Sequence, residues 1–261
     1  MNLKHLESIR LSELESVVTE IKSAKPGRNI ILEIGAGTGC QAKKLSENGN
    51  AVEAIDIKDS NYSENRIWPI LNYDGEHIPF PDSHFDVVFS SNVLEHITHL
   101  SGFQDEIKRV LKSDGIAVHV VPSGTWRFWT NVAHYAFIFK TTINIIFNKT
   151  TLKRESQICN SVEIQTNRPS KTRLLKKAIF PSRHGEIGTA VSEIYYFSRR
   201  RWYMIFKRSE WEVKKYFSNR LFYTGYMILG SAVSIQFRKY LSYLFGSSCH
   251  IFVLTKGKVL G

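Results

Sequence analysis

Residues 31–39 read Ile31-Leu32-Glu33-Ile34-Gly35-Ala36-Gly37-Thr38-Gly39. An apolar run from Asn29 to Ile34 ends abruptly in three alternating glycines, the pattern of a buried strand running into a tight turn. A helix is expected to open near Gln41. Glycine suits such a turn because the backbone needs unusual dihedrals and because a ligand must lie against bare main chain. The N-terminal amides of the following helix then point at that ligand.

The spacing separates two ligand classes. A dinucleotide turn is Gly-x-Gly-x-x-Gly, whose third glycine lets the helix pack close to the strand. Here the pattern is Gly35-x-Gly37-x-Gly39, and Cys40 stands where the dinucleotide pattern has glycine or alanine. Glu33 precedes the first glycine by two positions. A carboxylate there suits an ammonium and repels a pyrophosphate.

Outward from this turn, Ala51-Val52-Glu53-Ala54-Ile55-Asp56 is a second short strand ending in an acid. A carboxylate at that tip can accept both ribose hydroxyls of an adenosine. Residues 72–90 lead into a further strand beginning Phe85-Asp86-Val87-Val88, followed by Asn92-Val93-Leu94-Glu95-His96. Residues 103–112 form an amphipathic helix with apolar positions 103, 107, 110 and 111. Ser113-Asp114-Gly115 is expected to break it, and Ile116 to Val121 to be a fifth strand. Strands alternating with helices imply parallel βαβ units and a doubly wound sheet. Ligands then bind at the carboxyl ends of the strands, beside the topological switch point.

Taken in order, these segments resemble the class I S-adenosylmethionine-dependent methyltransferases. Residues 72–96 are similar to the subgroup that includes quinone-biosynthesis enzymes. The resemblance covers roughly residues 28–122. It implies an α/β fold: a Rossmann-like, doubly wound, seven-stranded sheet with an antiparallel edge strand and helical and loop insertions. It implies S-adenosylmethionine as cofactor, with Glu33, Gly35, Ala36, Gly37 and Gly39 around the methionine end and Asp56 and Ile57 at the ribose. Asp74 would bond the adenine amino group, Gly75 would give a backbone contact to the ring, and Glu76 and Ser90 complete the expected set. Ser90-Ser91-Asn92-Val93 stands where an Asn-Pro-Pro-Tyr signature would mark methylation of exocyclic base nitrogens, which disfavours that chemistry.

The chain of 261 residues is read as one domain with an insertion. The expected division is a helical lid over residues 1–27, a cofactor core over 28–122, a basic and apolar acceptor insertion over 123–198, and strands and helices of the same domain over 199–261. Residues 3–23 show amphipathic spacing, as a lid or a packing helix would, and the N-terminus has no apolar signal core. Cys40, Cys159 and Cys249 are widely separated, without metal-ligand spacing, and read as reduced thiols of a cytoplasmic protein. No metal is expected.

Charge divides sharply along the chain. Residues 1–120 hold 12 Lys+Arg and 18 Asp+Glu; residues 121–261 hold 23 and 6. The basic half suits an anionic partner. Residues 128–147 are dense in aromatics and carry one formal charge, Lys140. Scattered Asn131, His134, Thr141, Thr142 and Asn144 argue against a membrane span and for an interfacial helix or a pocket cover. Residues 149–177 read as a polar, basic insertion, and Pro181 to Glu186 as a loop. Ser198 is placed to cap a helix whose buried face is Trp202, Ile205 and Phe206. Trp211–Phe217 reads as a sixth strand, residues 221–237 as an uncharged insertion, and His250–Leu254 as a seventh strand, antiparallel at the edge.

Methyl transfer is an in-line displacement at an activated carbon, so alignment dominates and an oxygen or nitrogen acceptor adds the need for a base. His184 and His96 are the candidate bases, with Glu95 and Glu186 beside them; His119 reads as a satisfied core residue. The expected acceptor is a small molecule or glycan, lipid-linked and met at the inner face of an anionic membrane. Rival readings are an isoprenoid-quinone methyltransferase and a non-catalytic S-adenosylmethionine-binding protein. An RNA-directed enzyme is disfavoured, because the aromatics cluster with aliphatics rather than with the lysines.

Overall fold

A computed structural model describes residues 3–147, 181–225 and 232–257. The expected loop at 168–171, the rest of the 149–177 insertion and residues 226–231 lie outside the described residues, as does Cys159.

Seven strands form one mixed sheet in the order β3-β2-β1-β4-β5-β7-β6. They are β1 (Ile30–Ile34), β2 (Ala51–Ile57), β3 (Leu71–Tyr73), β4 (Phe85–Ser91), β5 (Leu111–Pro122), β6 (Trp211–Ser218) and β7 (Cys249–Lys256). The first five run parallel; β7 is antiparallel to both β5 and β6. The sheet is therefore Rossmann-like with an antiparallel pairing at its edge. That edge strand is β6. β7, expected at the rim, lies one place in, because it is buried on its apolar run Ile251–Leu254 while β6 carries the charged Glu212, Lys214 and Lys215 of the outer strand.

The central strands β1 and β4 are near-continuous apolar runs, as strands covered on both faces must be. The direction in which successive strands are added to the sheet reverses between the parallel neighbours β1 and β4, which opens a crevice at their carboxyl ends.

The helices are α1 (Leu3–Ala24), α2 (Cys40–Glu47), α3 (Leu100–Val110), α4 (Gly124–Phe147), α5 (Glu193–Tyr196), α6 (Arg199–Arg208) and α7 (Ile235–Phe245). Ser198 caps α6, accepting from the Arg201 amide, and Trp202 and Phe206 are its buried residues. On α1, Ile9, Leu14, Val17 and Ile21 enter the main core. Its buried Glu13 pairs with Arg10 at 2.7 Å and accepts from Tyr223 Oη and Asn219 Nδ2 (2.8 and 2.6 Å). These bonds tie the first helix to the C-terminal segment.

Ser113-Asp114-Gly115 does not separate α3 from β5. The strand starts at Leu111, paired with Phe85, and the register slips before Ile116 pairs with Val87. Gly115 makes this irregularity feasible: a Cβ there would approach Leu111 Cδ1 to 2.7 Å and the Asp86 carbonyl to 3.1 Å. Lys112 pins the same place through Asp86 at 2.8 Å.

Candidate active site

The glycine turn leaves β1 and folds onto β2. The amides of Gly35 and Ala36 both donate to the Ile55 carbonyl, at 2.8 and 3.1 Å. Gly35, Gly37 and Gly39 all have positive φ, between +57° and +79°. At two of them a side chain also lacks room: a Cβ on Gly35 would collide with Val93, and one on Gly39 with Trp68. Val93 belongs to the segment after β4, so the turn is packed against the opposite lip of the crevice.

Asp56, at the tip of β2, is locked to this turn. Its Oδ2 accepts from the Gly37 amide at 3.0 Å and its Oδ1 from the Ile57 amide at 2.8 Å. Each carboxylate oxygen keeps a second acceptor position for a ligand hydroxyl.

One pocket of about 920 Å³ gathers most of the expected residues: Gly35, Ala36, Gly37, Asp56, Ile57, Asp74, Gly75 and Glu76, together with His96 and His184. Glu33, Gly39 and Ser90 do not reach its wall. Glu33 lies under the turn, 2% exposed. Burial pushes its carboxyl up to about 8, opposed by a hydrogen bond from the Ala42 amide. Ser90 is fully buried, and its hydroxyl shares a 2.8 Å hydrogen bond with His119 Nδ1. His119 is a core residue as expected, but it is only half satisfied: Nε2 has no hydrogen-bond partner among the described residues. Burial pushes this imidazole down to about 3.

Asp74 faces the pocket but is engaged by its own turn. Its Oδ1 accepts from the Glu76 and His77 amides at 2.8 and 2.7 Å, and its Oδ2 lies 3.0 Å from His77 Nδ1. These contacts hold the carboxyl down near 2. Capacity left for an adenine amino group is therefore confined to Oδ2.

Of the other wall residues, Tyr62 carried no signal in the sequence, whereas Glu7 belongs to the expected N-terminal lid and Asn92 to the segment quoted after β4. Tyr62 comes from the loop after β2 and lays its ring 3.4 Å from where a Gly37 side chain would start. Glu7 of α1 accepts from Thr38 Oγ1 at 2.9 Å, so the first helix borders the glycine turn. Asn92, with φ +54°, sits at the end of β4 and donates its amide to Val120.

Three distant segments meet at the far end of the pocket, where His96 and His184 line it. Glu95 and His96 lie on a short turn after β4; Trp126 lies on α4; His184 lies in the loop before α5. The Glu95 side chain has no exposed surface, and its Oε1 lies 3.8 Å from Nε2 of both His96 and His184. Neither carboxylate oxygen has a hydrogen-bond partner among the described residues. The His184 ring stands edge-on to Trp126 and His96, with centroids 4.7 and 4.8 Å away.

A buried ion pair fixes this loop. Arg127 Nε lies 2.8 Å from Glu193 Oε2, with both side chains almost wholly covered. Glu193 Oε1 accepts from the His184 and Gly185 amides at 2.8 and 2.7 Å. Arg127 donates to the carbonyls of Ser182 and Ala190, and the Glu186 amide donates to the Glu95 carbonyl. Neither Arg127 nor Glu193 stood out in the sequence.

Comparison with known proteins bears on residues 32–119, which match the family described as "Methyltransferase domain". The chain is 30% identical over 116 residues to the ubiquinone/menaquinone biosynthesis C-methyltransferase UbiE of Cupriavidus pinatubonensis, covering 40% of this chain and 47% of that protein. It is 32% identical over 94 residues to the demethylmenaquinone methyltransferase of Tropheryma whipplei, covering 33% and 38%. The chain thus spans less than half the length of these curated relatives. An S-adenosylmethionine-dependent methyltransferase from Mesorhizobium loti has the same fold: TM-score 0.53, 11% identity, and coverage of 93% of this chain and 97% of that one. The matched segment holds the glycine turn, Asp56, Asp74 and the Glu95-His96 turn; His184 lies outside it.

Proposed function

We propose that this protein is an S-adenosylmethionine-dependent methyltransferase acting on a small-molecule or glycan acceptor, lipid-linked and met at the cytoplasmic membrane face. The observation that carries this reading is one pocket that runs from the glycine turn and Asp56 to His96 and His184, with Glu95 covered beside the two imidazoles. The Gly35–Gly37 backbone would hold the methionine end of the cofactor, Asp56 its ribose, and Ile57 and Gly75 its adenine. Leu3, Leu6 and Glu7 of α1 close over it as a lid.

The acceptor approaches from the His184 side. Its nucleophilic atom attacks the methyl carbon, the carbon–sulfur bond breaks with its electron pair going to sulfur, and neutral S-adenosylhomocysteine leaves. Glu95, His96 and His184 are placed to help an oxygen or nitrogen acceptor lose its proton.

A membrane-side acceptor is supported by exposed Phe128, Tyr135 and Phe137 on α4 and by Tyr240, Tyr243 and Leu244 on α7. The basic excess of residues 121–261 adds attraction to anionic lipid. No helix among the described residues is long and apolar enough to cross a membrane, so the contact proposed is peripheral. The names of the two curated relatives favour a second reading, an isoprenoid-quinone acceptor.

The test is transfer of a labelled methyl group from the cofactor into fractionated cell extract. Label is expected in the lipid-extractable fraction with the wild-type chain and absent with Gly37→Arg. A chain that binds the cofactor yet labels no fraction would instead be a binding module.

A further inference from the structure

We infer that Glu95, His96 and His184 together hold a divalent transition-metal ion at the acceptor end of the pocket. This deepens the reading just given and rests on it for the ion's role, but not for its binding.

Three observations converge. The ligand atoms of Glu95, His96 and His184 lie within 4.8 Å of one another. The Glu95 carboxylate is wholly covered and neither of its oxygens has a hydrogen-bond partner among the described residues. A buried carboxylate left without a hydrogen bond is costly, and a cation beside it removes that cost. The covered arginine Arg127 is engaged by Glu193 and by two carbonyls. Finally, both imidazoles turn Nε2 toward the same Glu95 oxygen, and both rings line the pocket.

Two imidazoles and one carboxylate are a ligand set for zinc or a similar borderline ion. Magnesium and calcium prefer all-oxygen sets. Zinc–ligand bonds of about 2.0–2.2 Å place tetrahedral donor atoms about 3.3–3.5 Å apart. The two 3.8 Å separations therefore need to close by only a few tenths of an ångström, with a larger move between the imidazoles. Their side chains are 42% and 36% exposed, so the rings have freedom to close. Glu95 is covered and its carbonyl accepts from the Glu186 amide, and the Glu193 carboxylate holds the main chain of His184, so the set is anchored from two sides. Three protein ligands leave the position facing the pocket open. An acceptor hydroxyl meeting the ion there gives up its proton to solvent more readily and attacks as the stronger nucleophile. The histidines then act as neutral ligands rather than as bases.

The test is calorimetric titration of zinc chloride into the full, chelator-treated chain, with cobalt(II) absorption as a second readout. One equivalent is expected to bind, with no thiolate charge-transfer band, since Cys40 and Cys249 are not ligands. Glu95→Gln, His96→Ala and His184→Ala should each weaken zinc at least tenfold. His184→Ala removes a half-exposed loop side chain and should leave thermal unfolding and cofactor affinity unchanged. Absence of zinc binding at one equivalent, or binding indifferent to all three substitutions, would overturn the inference. Cofactor titration of the same samples would still report on the proposed function, so the two can fail separately.

Discussion

The two ends of the pocket are built differently. At the cofactor end, Gly35, Gly37, Asp56 and Gly75 come from consecutive strand tips, and their geometry is set by main-chain bonds between neighbours such as Gly37 and Asp56. At the acceptor end, Glu95, Trp126 and His184 come from segments far apart in sequence and are held by a covered ion pair, Arg127–Glu193. The first end is specified by backbone conformation. The second is specified by packing, so it is free to diverge while the first stays recognisable.

This contrast can be broken by substitution. The largest effect is expected for Glu193→Gln, which removes the carboxylate charge from the covered Arg127–Glu193 pair. Breaking such a pair costs about 3–5 kcal/mol. Denaturant unfolding should show that loss, and methyl transfer should fall as the His184 loop loosens. Cofactor affinity should stay within about twofold, on the order of RT ln 2. Loss of cofactor binding in parallel would show that the two ends are one unit.

Asp56→Asn acts at the other end. Replacing a charged acceptor of ligand hydroxyls removes about 1.5–3 kcal/mol, or roughly 10–100-fold in cofactor affinity, by calorimetry. The acceptor loop should be untouched, with protease resistance of residues 181–190 unchanged.

The smallest effects should come from Ser90 and His119, which place the boundary between site and core. Ser90→Ala should cost about 1 kcal/mol of stability and leave cofactor binding unaltered. His119 has a depressed folded pKa of about 3, so the unfolded chain takes up a proton first as pH falls below about 6.5. The stability that neutral His119 contributes is complete above that value and is lost toward pH 3. Between pH 7 and 5.5 the loss is about 1 kcal/mol. His250, pushed by burial down to about 4, acts in the same direction, so the measurement is the difference in slope between wild type and His119→Gln.

Much of this was legible in the sequence, for local reasons. Three alternating glycines after an apolar strand admit few backbone paths, and Asp56 at the next strand tip has one obvious direction to face. Legibility failed where a distant partner decides. Ser90 was expected in the site because it ends β4, yet His119, 29 residues on, turns its hydroxyl into the core. Asp74 was expected to face the adenine, and the amides of its own turn take one oxygen first. Ser113-Asp114-Gly115 has the composition of a loop, but pairing with β4 draws it into a strand. β7 looked like an edge strand until β6 was seen to pair outside it. His184, His96 and Glu95 were all nominated from the sequence; that the carboxylate lies between the two imidazoles was visible only once the chain was folded.

The most direct measurement is isothermal titration of S-adenosylmethionine into the purified chain and into Gly37→Arg. Wild type should bind one equivalent saturably, and the arginine variant, with its side chain projecting toward Tyr62 and into the pocket, should bind at least about 100-fold more weakly, a loss of about 2.7 kcal/mol. Equal affinity of the two chains, or no heat of binding from the wild type, would contradict the placement of that cofactor on the glycine turn.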